Sequence, residues 1–247
     1  MVKETKVLGA ILVLLRRLAG CFDSSPIQGP DWTGGADDRN GVEGGPGVEW
    51  GPEVSDRASE WLRQNIRDEI YDQMYYHYWD LREHMEALQQ DHSGIMRLST
   101  IGRSVDGELD PFNDYGKLLL AEVTNLSDTT PKPQILIDGG HHGNEQLGME
   151  VAMLLLDYLV TQYEEDAWVK EFVDSHDIFI FPMVNVDGNT RDTRANSNGV
   201  DLNRNYPFEW DGAGSGPASE PEVAANVELF RSEERRVGKE CISRWSP

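Results

Sequence analysis

Between residues 118 and 186 the chain alternates short apolar runs with longer helical ones, and this alternation limits the possible folds more than any other feature. Leu118 to Val123 and Gln134 to Asp138 read as strands, the second apolar enough to be buried on both faces and ended by Gly139 and Gly140. Leu147 to Tyr163 is apolar nearly all round and reads as a buried helix, and Asp166 to Val173 carries a second helical pattern. Ile178 to Val186 reads as a further buried strand. Strands alternating with helices predict an α/β fold, in which ligands gather beyond the carboxyl ends of strands.

Upstream, Leu62, Ile66, Ile70, Met74, Tyr78, Leu81, Met85 and Leu88 recur every three or four residues, the stripe of one or two amphipathic helices with Ser55 or Asp56 as N-cap. Aromatics at this spacing (Tyr71, Tyr75, Tyr76, Tyr78, Trp79) predict core contacts rather than a ligand platform. His77, His84 and His92 lack metal-ligand spacing and are read as structural or exposed. Residues 22 to 54 hold eight of the 24 glycines and almost no aliphatic residue, so they read as a disordered linker, with a helical lead-in over 55 to 74.

The first 21 residues read as a targeting segment. Val7 to Leu15 is an apolar run behind Lys3 and Lys6, far short of the roughly 20 residues of a membrane span. Leu18-Ala19-Gly20-Cys21 resembles a lipobox, which implies a lipid on Cys21 and a membrane-anchored, extracellular or cell-surface protein; Arg16-Arg17 interrupts that pattern. Asp and Glu number 44 against 22 Lys and Arg, and a net charge of -22 excludes nucleic acid as a partner. Two cysteines, Cys21 and Cys241, exclude a disulfide framework.

Two motifs follow predicted strands. In His142-Gly143-Asn144-Glu145 an imidazole and a carboxylate three residues apart in a turn can face one cation, a pairing that suits zinc; His141 could equally cap or fill the core. The second motif, Asn185-Val186-Asp187-Gly188, leads into a polar loop with Arg194 and then Gly199-Val200-Asp201-Leu202-Asn203-Arg204-Asn205-Tyr206. Arginine forks recognise carboxylates with paired hydrogen bonds, and Asn203 adds donors beside Arg204; a salt-bridged loop is the plainer reading of the same residues.

In this order and spacing the strings resemble the zinc carboxypeptidases of the A and B type, over roughly Tyr75 to Phe230. The resemblance implies an α/β fold with a mixed sheet flanked by helices, and bound Zn2+, with His142 and Glu145 as metal ligands and Asp201 orienting His142 from behind. It further implies that Asn203 and Arg204 hold the free carboxylate of a peptide, that Asn144 lies at the substrate-binding site, and that Arg194 is a catalytic cation polarising the scissile carbonyl. Ser219-Glu220-Pro221-Glu222 resembles the family's next helix start. Three departures stand out. Asn144 replaces an arginine usual in pancreatic-type members. Glu108 follows Ser104-Val105-Asp106-Gly107 where an arginine is usual, with Asp110 to Asn113 inserted after it. No histidine follows His176, so the family's third zinc ligand and its later catalytic glutamate have no counterpart here. Arg231 to Pro247 instead resembles the translation of a sequencing adapter, with Ile242 departing from it, which implies a C-terminally truncated catalytic domain over 75 to 230 and an artefactual tail.

The expected function of the full-length parent is thus zinc-dependent hydrolysis of C-terminal peptide bonds, on peptide or protein substrates with a free C-terminus, with this chain an inactive fragment. A zinc deacylase of N-acyl amino acids and a non-catalytic surface protein that binds peptides fit the same residues.

Overall fold

The computed structural model describes residues 57, 58, 60, 61, 64, 65, 75–110 and 112–236. The chain divides into two units, 1–65 and 66–247. In the first, the described residues are helical, and the Gln64 side chain donates to Glu60 Oε1 at 2.6 Å. Cys21, the lipobox, the glycine-rich segment, Ser55 and Asp56, and residues 237–247 lie outside the described residues. Among the described residues no helix is long and apolar enough to cross a membrane.

The second unit opens with α1 (Tyr78–Asp91), whose Tyr78, Leu81, Met85 and Leu88 are buried along one stripe as the spacing demands. β1 (Met96–Arg103) and β2 (Lys117–Val123) pair antiparallel around a connection that holds the short helix α2 (Val105–Leu109). β3 (Gln134–Asp138) leads through α3 (Leu147–Thr161) and α4 (Ala167–Ser175) to β4 (Asp177–Phe181). Asp166 caps α4 by accepting from the Trp168 N–H at 2.9 Å. After β4 come α5 (Val186–Thr190), a single 3-10 turn (Leu202–Arg204) and α6 (Pro221–Arg236). The last helix continues across residue 230.

The sheet order is β1-β2-β4-β3, antiparallel between β1, β2 and β4 and parallel between β4 and β3. It is the mixed sheet flanked by helices that the family resemblance implies. Its centre is apolar: Ile178, Phe179, Ile180 and Phe181 of β4 are at most 3% exposed, as are Met149, Met153, Leu155, Leu156 and Leu159 of α3. Each such side chain contributes about 1.5–3 kcal/mol of burial. The parallel β3–β4 pair matters most for function, because it sets the carboxyl ends of the two strands side by side.

Two expectations need correction, and one strand has no counterpart among them. The strand expected over Ile178 to Val186 ends at Phe181, since Pro182 has no N–H to continue the ladder; Val184 and Asn185 instead donate to the Gly139 and Gly140 carbonyls, and Val186 opens α5. β3 is half-buried at all five residues rather than buried on both faces, because in the described sheet it is the outer strand, paired only with β4. β1 is that strand: its apolar–polar alternation covers only Met96 to Ser99, and a register shift between Thr100 and Gly102 breaks it.

Candidate active site

The two motif loops leave β3 and β4 together. Gly139 donates to the Phe181 carbonyl at 3.0 Å, Val184 to the Gly139 carbonyl at 3.0 Å, and Asn185 to the Gly140 carbonyl at 2.9 Å, so the ladder runs on into the loops as a brace. Gly140 takes φ +67, a backbone that favours glycine. Gly143 is fixed by close approach, since a Cβ there would lie 2.0 Å from the Gly188 carbonyl carbon and 2.2 Å from the Asn189 nitrogen. The loop with His142 therefore rests directly on α5.

Asn185 joins the two loops. It is fully buried, caps α5 by accepting from the Gly188 N–H at 2.8 Å, and donates to the carbonyls of His141 at 3.2 Å and Arg194 at 3.1 Å. Asp187, also fully buried, accepts from the Ser104 hydroxyl at 2.7 Å, the Asp106 N–H at 3.0 Å and the Tyr115 hydroxyl at 3.1 Å, anchoring α5 to the β1–β2 connection.

On this frame His142, Glu145, Arg194 and Asp201 meet. His142 Nδ1 lies 2.9 Å from Glu145 Oε2, and its Nε2 lies 3.1 Å from Asp201 Oδ1. Arg194 donates from Nε to Asp201 Oδ2 at 3.0 Å and from Nη1 to Glu145 Oε1 at 2.6 Å. Asp201 also accepts from the Asn203 N–H at 3.0 Å, capping the 3-10 turn that carries Asn203 and Arg204. Burial would raise the Asp201 carboxyl, but hydrogen bonds from Arg194 and His142 outweigh it and hold that carboxyl below its ordinary value. The hydrogen bond to His142 does the same for Glu145, with a smaller contribution from Arg194.

A neutral imidazole carries a single N–H, yet both nitrogens of His142 face carboxylates. With the proton on the Asp201 side, Nδ1 and Glu145 Oε2 turn two lone pairs toward one point, an arrangement that a cation relieves. A nitrogen and an oxygen donor, with the imidazole braced from behind by a carboxylate, match two positions of a zinc site. Among the described residues no group of three or more His, Cys, Asp and Glu side chains could hold a metal ion, so these two donors alone do not make a complete site.

A cleft of about 630 Å³ opens beside the pair, lined among others by Tyr75, His141, Asn144, Glu145 and Asn203. Asn144 and Asn203 are exposed on its rim. Arg204 is exposed one residue beyond and donates to the Asn203 carbonyl at 3.2 Å. Tyr75 faces the cleft, whereas Tyr76 and Tyr78 are buried and Trp79 is half exposed, so the aromatic segment is only partly core. His84 binds Asp157 at 2.6 Å, away from the cleft. His141 lies 2.8 Å from the Tyr206 hydroxyl, which accepts from Asn226 at 2.7 Å; the same amide donates to Asp138 Oδ2 at 3.0 Å. Burial lowers the His141 imidazole below its ordinary value and raises the Tyr206 phenol. The sequence gives no sign of this second network, because its hydrogen-bonded partners sit 20 to 88 residues apart.

Comparison with known proteins agrees with this geometry. The profile of the family described as zinc carboxypeptidase matches residues 81–240. The chain belongs to the zinc carboxypeptidase family. Relatives include carboxypeptidase M of Mus musculus, 29% identical over 188 residues, 72% of this chain and 41% of that protein. The zinc carboxypeptidase of Saccharothrix mutabilis subsp. capreolus is 28% identical over 150 residues, 54% of this chain and 33% of that one. The chain thus spans less than half the length of either. Among solved structures, thrombin activatable fibrinolysis inhibitor superposes with a TM-score of 0.58 at 20% identity, over 75% of this chain and 56% of that chain. Carboxypeptidase A from Helicoverpa armigera gives 0.57 at 18%, over 66% and 44%. At such identities these two establish the shared fold.

Proposed function

We propose that the complete protein is a zinc-dependent carboxypeptidase that removes C-terminal residues from peptides. The observation that carries this reading is His142, turned with Nδ1 to Glu145 and Nε2 to Asp201 at the rim of a cleft shared with Asn203. His142 and Glu145 would hold the ion, which when bound supplies Lewis acidity to the scissile carbonyl and the attacking water. Asp201 keeps the His142 proton on Nε2 and so leaves Nδ1 free to ligate. Arg204 and Asn203 receive the substrate's terminal carboxylate, fixing which bond lies over the metal pair, and Asn144 borders the bound chain. Arg194 offers a guanidinium to the oxyanion that develops as the carbonyl is attacked.

The clamp has a direct test in a protein that contains the full catalytic domain. Arg204→Ala should weaken binding of a peptide with a free C-terminus by about 2–4 kcal/mol and leave its C-terminal amide nearly unaffected, because only the former presents a carboxylate to a paired donor. Equal losses for both peptides would make Arg204 structural. We also infer a surface location, with Cys21 lipidated and residues 22–54 as tether, on the support of the Leu18-Ala19-Gly20-Cys21 string.

A further inference from the structure

The four side chains at the site form a closed ring. His142 faces Glu145, Glu145 accepts from Arg194, Arg194 donates to Asp201, and Asp201 faces His142 again, at 2.9, 2.6, 3.0 and 3.1 Å. Two of the four are the metal donors, and each touches Arg194 or a group that Arg194 holds. Resting on the zinc reading above, we propose that Arg194 is a positioning residue for the metal pair as well as a cation for the substrate: its guanidinium sets Glu145 directly, and His142 through Asp201, in the arrangement that receives the ion.

Three features of the geometry support this. Arg194 binds Glu145 through Oε1, which leaves Oε2 as the oxygen beside His142 Nδ1; the arginine and the metal position use different atoms of one carboxylate. Two separate nitrogens, Nε and Nη1, reach the two carboxylates, a span that the planar guanidinium provides and a single ammonium does not. Finally, the Arg194 backbone is itself fixed, since the buried Asn185 amide that binds its carbonyl also binds the carbonyl of His141, next to His142. Glu145 is the most exposed member of the ring, 60% by side chain, and without Arg194 only the His142 contact would orient it. An isolated exposed ion pair contributes little, but a partner that orients a metal ligand typically changes metal affinity 10- to 100-fold.

The experiment is zinc affinity of the 247-residue chain, read by competition with a chromogenic chelator, for the unaltered protein, Arg194→Met, Arg194→Lys and His142→Ala, each with a urea unfolding curve. The expected result is zinc binding that His142→Ala removes and that Arg194→Met weakens at least tenfold at an unchanged unfolding midpoint, with Arg194→Lys recovering little of the loss. Affinity within twofold of the unaltered protein would confine Arg194 to substrate chemistry, and tighter binding would make it a competitor of the ion; either overturns the proposal. So would full recovery in Arg194→Lys, or a lowered affinity fully matched by lost folding. If the unaltered chain shows no zinc binding that depends on His142, the inference falls for this donor pair; the zinc reading of the complete protein falls only if the same titration of a protein with the full catalytic domain also shows none.

Discussion

Replacing Asn185 tests whether one buried amide holds the two motif loops together. In Asn185→Ala three groups lose a partner at once: the buried Gly188 N–H, which donates at 2.8 Å, and the part-buried carbonyls of His141 and Arg194, which accept at 3.2 and 3.1 Å. An unsatisfied buried polar group costs about 1–3 kcal/mol, and a water entering the vacated space recovers part of that, so the expected loss is about 3 kcal/mol. At roughly 2–4 °C per kcal/mol for a domain of this size, the melting midpoint should fall by about 6–12 °C. Asn185→Asp keeps the acceptor for Gly188 but turns a carboxylate oxygen toward two carbonyls, and it should be no more stable than the alanine variant. Differential scanning calorimetry of the three proteins reads this directly. If both variants melt within about 2 °C of the unaltered chain, the loops are held by something other than Asn185.

Two further outcomes follow from the structure and the sequence. Glu222 is fully buried beside Asp187, accepting from the Val105 N–H at 3.1 Å and from Asn196 at 3.3 Å, and burial pushes its carboxyl up to about 7. The unfolded chain ionises this group nearer pH 4.5, so its contribution is fully present below that value and is lost as pH rises through about 7, by up to about 3 kcal/mol; Glu222→Gln should flatten that part of the stability profile in urea titrations at pH 5 and 7.5, and an unaltered slope would refute it. At the N-terminus, Cys21→Ser should move the protein from the membrane fraction to the soluble fraction of its host, and equal partitioning of both forms would remove the lipid anchor.

The parts of the fold that depend on local pattern are legible in the sequence. β3 matches its apolar run residue for residue, α3 and α4 follow their patterns to within two positions, and α1 buries the Tyr78, Leu81, Met85 and Leu88 part of its stripe. What depends on distant partners is not. β1 shows only a short, broken alternation and is set by its pairing with β2, and Val186 leaves the strand because Asn185 finds a cap and two carbonyls. The same division holds at the site. His142, Glu145 and Asp201 are named by motif, and the structure brings them together; Arg194 joins them by contacts that no spacing implies. Asn185 stands inside a recognised string, yet its role as the stitch between loops appears only once His141 and Arg194 are seen on either side of it.

The central claim, that His142 and Glu145 form a metal pair braced by Asp201, is tested most directly by nitrogen NMR of the chain labelled at its histidines, with assignments from His142→Ala. On adding zinc, His142 Nδ1 should shift as a metal-bound nitrogen while Nε2 keeps its proton toward Asp201, and Glu145→Gln should weaken the response at least tenfold. Zinc that shifts Nε2 instead, or leaves His142 unmoved while other histidines respond, would contradict the account.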